Sequence, residues 1–355
     1  MSVAEPGSLR IGVLVPCRNE AAVIGRKLGN LALARWPAPG RPHRIVLVDD
    51  GSEDGTADRA RAFDVARLPA GVRFSVRPNT TRPGKPGAIA TGLDELAGTV
   101  DLVVLTDADV LIDPDALVAL ERAFATDARL ALACGAQRFV RDLADDGSCR
   151  SKAGGQPVDA ATAFDRWTAR VRRCESRFGR LFSVHGQLLA WRAELRLRPR
   201  PGIAADDLDL MLQARARASE PRRVALVREA VFLEAKTPPG RDALEQALRR
   251  ARAFVQVVRS RPPLARDPVS LAQWGFYRYA TLAAPELGTV ASLLAIGGAY
   301  AAGGTGLGVF ALLLVVVVSL SGPGRRWSRL ARIIRAARHL EELGALPERW
   351  EMARR

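Results

Sequence analysis

Residues 44–56 read RIVLVDDGSEDGT. Four branched apolar residues in a row, Ile45 to Val48, make a strand-sized run, and the run ends on Asp49 and Asp50 ahead of Gly51, a turn residue. The construction recurs at residues 102–109, LVVLTDAD, where an apolar run again meets aspartates. Two more runs of strand length, Ile11–Val15 and Val72–Val76, flank these, and helix-like stretches start near Glu20, Gly55, Ala88 and Pro114. Asp113-Pro114 is itself a start signal, a capping side chain followed by proline in the first helical position. Apolar runs alternating with helices predict an α/β fold with a largely parallel sheet. In such sheets ligands sit beyond the carboxyl ends of the strands, so both acidic tips are expected to face one crevice.

Further along, residues 141–157 (RDLADDGSCRSKAGGQP) have no periodicity and read as a mobile loop. A helix is predicted over Ala160–Phe178, a strand within LFSVHGQLLAW (181–191), a helix over Asp207–Ala218, short strands at Val224–Val227 and Ala230–Leu233, and a basic helix at Arg241–Arg259. Residues 287–324 carry no charged side chain. That is too long for one crossing of a bilayer, and Gly303-Gly304-Thr305-Gly306 near its middle suits a hairpin of two short helices. Arg278 precedes the run and Arg325, Arg326 and Arg329 follow it, which places both flanks on the cytoplasmic side. A hydrophobic helix buried in the fold is the alternative. After the run, Trp327, Leu330, Ile334 and Ala337 share a helical face among arginines, as in a helix lying at a membrane surface. The start of the chain has no apolar run of signal-peptide type.

Composition narrows the class. Of 355 residues, 48% are apolar and 26% charged, which excludes a disordered chain. Four scattered cysteines without a CxxC pair argue against a disulfide framework and a structural zinc site, and suit a reducing compartment. The net charge of +15 attracts polyanions, but 6% aromatic residues and no binding motif argue against nucleic acid as the partner.

An Asp-x-Asp at a strand tip puts two carboxylates within reach of one hard cation, Mg²⁺ or Mn²⁺, of the kind that holds a diphosphate. Aspartates that merely cap helices are the competing explanation for either motif alone. The order VPCRNE, VLVDDGSEDGT, GKPGAIATGL, TDADV, HGQLLAWR and ADDLDLMLQAR resembles the family 2 glycosyltransferases of GT-A fold, over residues 10–260. That resemblance implies a Rossmann-like, mostly parallel sheet flanked by helices, followed by C-terminal membrane helices. It implies a catalytic domain over 1–260, with a nucleotide-sugar half at 8–135 and an acceptor half at 136–260. A linker at 261–286, a membrane segment at 287–322 and a basic tail at 323–355 would follow.

It further implies that Pro16, Glu20, Asp49, Asp50, Lys85 and Asp107 bind the donor, and that Asp109, with Asp107, holds the metal. Asp207 would be the base that takes the acceptor's proton, with Asp206 replacing the family's usual glutamate; helix capping is the other role open to Asp207. Gly186, Gln187 and Arg192 match the acceptor-side strand, and His185 beside them reads as a packing residue. Processive members carry Gln-x-x-Arg-Trp; here Gln246 and Arg249 are followed by Arg250, which removes a sugar-stacking surface and leaves Arg249 and Arg250 as phosphate binders. The expected reaction is inverting transfer of a sugar from a nucleotide-diphosphate donor to a lipid-linked or cell-surface glycan acceptor, at the cytoplasmic face of the cell membrane. A nucleotidyltransferase on a related sheet and a membrane-bound non-enzymatic scaffold are the rival readings.

Overall fold

The apolar runs of the first half become strands, each ending where a charged or turn residue interrupts the run. The computed structural model describes residues 8–342 apart from position 39 and segments 218–222, 238–239, 261–263 and 265–266. Its first strands are β1 (Ile11–Cys17), β2 (His43–Asp49), β3 (Val72–Pro78) and β4 (Leu102–Thr106), with α1 (Ala21–Leu33), α2 (Thr56–Arg61) and α3 (Lys85–Leu96) between them. Then come β5 (Leu111–Ile112), α4 (Ala116–Thr126), β6 (Leu130–Val140), α5 (Ala163–Arg177), β7 (Leu188–Arg192), α6 (Asp206–Ala216) and β8 (Arg223–Ala235). The eight strands form one sheet in the order β3-β2-β1-β4-β7-β6-β8-β5.

The half expected to be parallel is so: β3, β2, β1 and β4 all run the same way. Beyond it the sheet is mixed. β7 runs antiparallel to both β4 and β6, β6 and β8 are parallel, and β5 is antiparallel to β8. β1, β2 and β4 are buried on both faces, which is why they read as unbroken apolar runs rather than alternating ones. The two short strands predicted at 224–227 and 230–233 are one strand, with a register shift opposite Gly135/Ala136 that absorbs the exposed Arg228 and Glu229. The strand predicted within 181–191 starts only at Leu188.

The segment 141–157 is irregular as expected, but it is held in place. The Asn30 amide donates to Gly147 O (3.0 Å) and Ile112 O (2.9 Å), and a side chain at Gly29 would stand 2.8 Å from Asp146 O.

Arg192 corrects the sequence reading. Its partner across the ladder is Leu102, at the start of β4, whereas Thr106 at the acidic end pairs with Leu188. Arg192 therefore lies at the end of the sheet away from the aspartates. Its guanidinium donates to Phe124 O (2.7 Å), Asp127 O (2.9 Å) and Leu130 O (2.9 Å), tying the end of α4 to the start of β6. Its role is to satisfy carbonyls that a helix end leaves open.

The C-terminal helices make a second unit: α7 (Arg241–Arg259), α8 (Pro268–Leu282), α9 (Ala284–Leu320) and α10 (Gly322–Glu342). By packing, the boundary falls at Pro238, so α7 groups with these helices and not with the sheet. Pro285–Ser319 is the one helix among the described residues long and apolar enough to cross a membrane. It is broken at Gly304, whose φ of 68° and ψ of −162° suit glycine alone. A side chain at Gly308 would lie 3.0 Å from Tyr300 Cβ, and Arg335 donates to Pro285 O at 2.8 Å. A straight helix at about 1.5 Å per residue would carry residue 320 about 50 Å from Pro285, too far for α10 to return. The two arms therefore double back on each other. On α10, Ala337 is buried while Leu330 is exposed, so the predicted face is divided; the Trp327 side chain and residues 343–355 lie outside the described residues.

Arg192→Leu is expected to lower stability by about 3 kcal/mol, because three carbonyls lose a charged donor. Denaturant titration beside nucleotide-sugar affinity checks this; affinity should be unchanged.

Candidate active site

The site forms where β1, β2 and β4 end. Pro16 lies near the end of β1, paired with Val48. Glu20 occupies the position before the first residue of α1 and is buried, its backbone N–H donating to Thr56 Oγ1 at 2.8 Å. Asp49 accepts from the Ser52 N–H and hydroxyl, which shapes the turn after β2. Asp50 is buried and accepts from Asn79 Nδ2 (2.6 Å) and from the Gly84 N–H (2.8 Å), with Arg18 at 3.5 Å. It thereby fastens the start of α3 to the tip of β2.

That helix start needs its glycines. Gly84 has a φ of 100°, and a side chain at Gly87 would strike Arg82 O at 1.7 Å. Tight coiling there delivers Lys85 across the end of β4. Its ammonium lies 2.7 Å from Asp107 Oδ1 and 4.0 Å from Asp206 Oδ2. Burial works against this charge, but Asp107 and Asp206 outweigh it and hold the Lys85 pKa above its ordinary value.

Asp206 and Asp207 open α6. Burial raises the pKa of both carboxyls; Lys85 works against the rise, and Asp206 is left at about 6. Asp207 accepts from the Leu208 N–H (2.8 Å) and from the Gly186 backbone. A side chain at Gly186 would come within 3.2 Å of Asp207 Cβ, so the absence of one lets the residues meet. Asp209 is fully buried and bonded to Arg200 and Gln213, which makes it a structural acid. Gln187 reaches Glu234 at 3.4 Å, and His185 packs edge-on against Phe232, as a packing residue does.

Asp50, Lys85, Asp107, Asp206, Asp207 and Gly186 are thus linked through direct contacts, while Arg192 is not among them. Arg249 and Arg250 are exposed on α7, in the second unit.

Among the described residues no three His, Cys, Asp or Glu side chains make a metal cluster alone. The site nevertheless suits a hard cation that takes one or two carboxylates from the protein and its other ligands from diphosphate and water. Two carboxylates, Asp107 and Asp206, face one ammonium, and Asp206 Oδ2 is buried with no hydrogen-bond partner among the described residues.

Lys27 escaped the sequence reading. It lies on α1, fully buried, and donates to Thr106 Oγ1 (2.7 Å) and Val110 O (3.1 Å), bracketing the Asp107–Asp109 turn from beneath. Burial lowers its pKa to about 7, against the pull of Asp107 and Asp109. A lysine where an amphipathic helix calls for an apolar residue was the only signal available.

A parallel half-sheet whose strand tips carry aspartates, joined to a second acidic pair at a helix start, defines the GT-A class of fold. Residues 6–255 match the family model described as glycosyltransferase like family 2, and the chain belongs to that family. A mannosyltransferase from Pyrobaculum calidifontis, solved with GDP-Man and Mn²⁺, has the same fold, with a TM-score of 0.67 at 24% identity over 96% of this chain and 90% of that one. An undecaprenyl-phosphate 4-deoxy-4-formamido-L-arabinose transferase of Serratia proteamaculans (strain 568) is 33% identical over 115 residues, which is 32% of this chain and 33% of the relative. The corresponding transferase of Edwardsiella ictaluri (strain 93-146) is 32% identical over 113 residues. The chain thus matches about a third of the length of these curated relatives.

The Lys27 environment sets a pH dependence. Its pKa is about 7 folded against an ordinary 10.5, so between those values the unfolded chain holds more protons and stability rises with pH. Lys27→Met does not titrate. Relative to wild type it should be most favoured below about pH 7 and lose about 3 kcal/mol of that difference by about pH 9 in denaturant titrations.

Proposed function

We propose that this chain transfers a sugar, with inversion, from a nucleoside-diphosphate donor to a lipid-borne acceptor at the cytoplasmic face of the cell membrane. The observation that carries the reading is the chain of contacts from Asp50 through Gly84 and Lys85 to Asp107 and Asp206, which joins the nucleotide-side strands to a buried acidic pair. In this reading Pro16, Glu20, Asp49 and Asp50 line the nucleotide, and Lys85 takes a phosphate oxygen by a charge-assisted hydrogen bond. Asp107 and Asp109 would hold Mg²⁺ or Mn²⁺, which supplies neutralisation of the diphosphate leaving group.

Asp207 then takes the proton of the attacking hydroxyl. A carboxylate whose pKa burial has raised is a better proton acceptor than an exposed one, and Gly186 leaves room beside it. Gln187 and Asp206 stand on the acceptor side, and Arg249 and Arg250 bind diphosphate or lipid phosphate. The apolar helix Pro285–Ser319 anchors the chain in the bilayer, with the arginines on both flanks in the cytoplasm.

The names of the curated relatives favour a second acceptor class, a lipid phosphate. A phosphate nucleophile has already lost its proton and needs no base, so one variant separates the two acceptors. For a hydroxyl acceptor, Asp207→Asn should lower transfer about 100- to 10,000-fold with donor affinity nearly unchanged. Asn caps a helix about as well as Asp, so folding should survive. Near-normal transfer in the variant would select the phosphate reading. Calorimetric donor affinity beside a radiolabelled transfer assay measures both.

Chelation should abolish turnover, and Asp109→Asn should remove metal-dependent donor binding as well. Calorimetry with and without Mn²⁺ checks this, and full turnover in excess chelator would overturn the role given to the metal.

A further inference from the structure

α5 is turned inside out. Its polar face is fastened to the protein: Asp165 pairs with Lys236 (2.6 Å), Arg172 donates to Ser183 O (3.1 Å), Glu175 accepts from the Phe182 N–H (3.0 Å) and Ser176 accepts from the Leu226 N–H (2.8 Å). The opposite face carries Phe164, Trp167, Val171, Cys174 and Phe178, spaced alternately by three and four, a continuous helical stripe. Phe164, Trp167 and Phe178 are 64%, 59% and 75% exposed, and no residue of the helix is fully buried. Arg166, Arg170, Arg173 and Arg177, also alternating by four and three, run along one edge of the stripe and are all exposed.

A helix in a water-bathed protein normally buries such a stripe. Aromatic residues outward with arginines along the edge are instead the pattern of a helix seated in the headgroup region of a bilayer, where Trp is enriched and Arg meets lipid phosphate. We propose that α5 docks the sheet-bearing unit onto an anionic lipid surface, with Phe164, Trp167 and Phe178 in the acyl boundary and the four arginines on headgroup phosphates. The occupant is chosen by charge: a second copy of this chain brings the same arginines and a net charge of +15, whereas anionic lipid complements them. This contact does not depend on the apolar helix of the second unit, nor on the reaction proposed above.

Cys174 lies on the stripe and is exposed, while Cys17 and Cys134 are buried. A nitroxide on Cys174, in the full chain carrying Cys149→Ser and reconstituted into phosphatidylcholine–phosphatidylglycerol vesicles, reports its surroundings through collisions with oxygen and with a water-soluble nickel complex. We expect oxygen collisions to dominate and nickel collisions to fall several-fold relative to vesicles of phosphatidylcholine alone. Phe164→Ser with Trp167→Ser should reverse this, as should neutralising the four arginines to Gln. The substituted side chains are exposed, so far-ultraviolet circular dichroism should be unchanged. Nickel access equal in both kinds of vesicle would overturn the proposal. So would spin–spin broadening that disappears on dilution with unlabelled protein, which would assign the stripe to a second copy.

Discussion

One ammonium group holds the site together. Lys85 is the first residue of α3, Asp107 follows β4 and Asp206 opens α6, and at the site these elements meet around a positive charge between two carboxylates. Without it, the buried acids at the start of α6 would repel Asp107 in a low-dielectric setting, where charges interact far more strongly than in water. The backbone around Lys85 is shaped to match: Asp50 receives the Gly84 N–H, and Gly87 lets the chain pass close to Arg82. The site remains rich in negative charge after this pairing, which is the condition a divalent cation would relieve.

The parallel half of the fold was legible because β1, β2 and β4 are buried on both faces and the chain shows it as apolar runs closed by aspartates. The acidic tips were legible for the same reason, since a carboxylate directly after a buried run can only stand at a strand end. Other features carried no local mark. β6 begins with LALAC, which fits a helix as well as a strand, and its pairing with β8 is a long-range matter. Arg192 follows a strand that does approach the site, but the antiparallel direction of β7 takes it to the opposite end. Lys27 could not be told from a surface lysine until α1 was packed over the Asp107–Asp109 turn. The orientation of α5 was hidden as well, because an amphipathic pattern identifies two faces without saying which turns inward.

The stripe on α5 and the doubled-back arms of α9 both expose large apolar side chains, and they belong to separate units of the chain. Arginines stand beside each of them, Arg166, Arg170, Arg173 and Arg177 along α5 and Arg335 and Arg338 against the start of α9. This distribution gives the strong basic excess of the chain a local meaning: the positive charge concentrates beside apolar surface, where it can act together with that surface at a boundary between water and lipid.

The insertion of β7 between β4 and β6 has a mechanical consequence. The ladder runs without a gap from β3 to β5, so the strands that carry the aspartate tips, β7 directly after Gln187, and β8 with Glu234 belong to one sheet. Two lobes joined by a linker can open like a clamshell to exchange substrates. Here the same movement would tear a continuous row of backbone hydrogen bonds through the middle of the core, at a cost far above thermal energy. The aspartate tips and the buried acid of β8 are therefore held at a fixed spacing by the sheet itself, with no hinge between its halves.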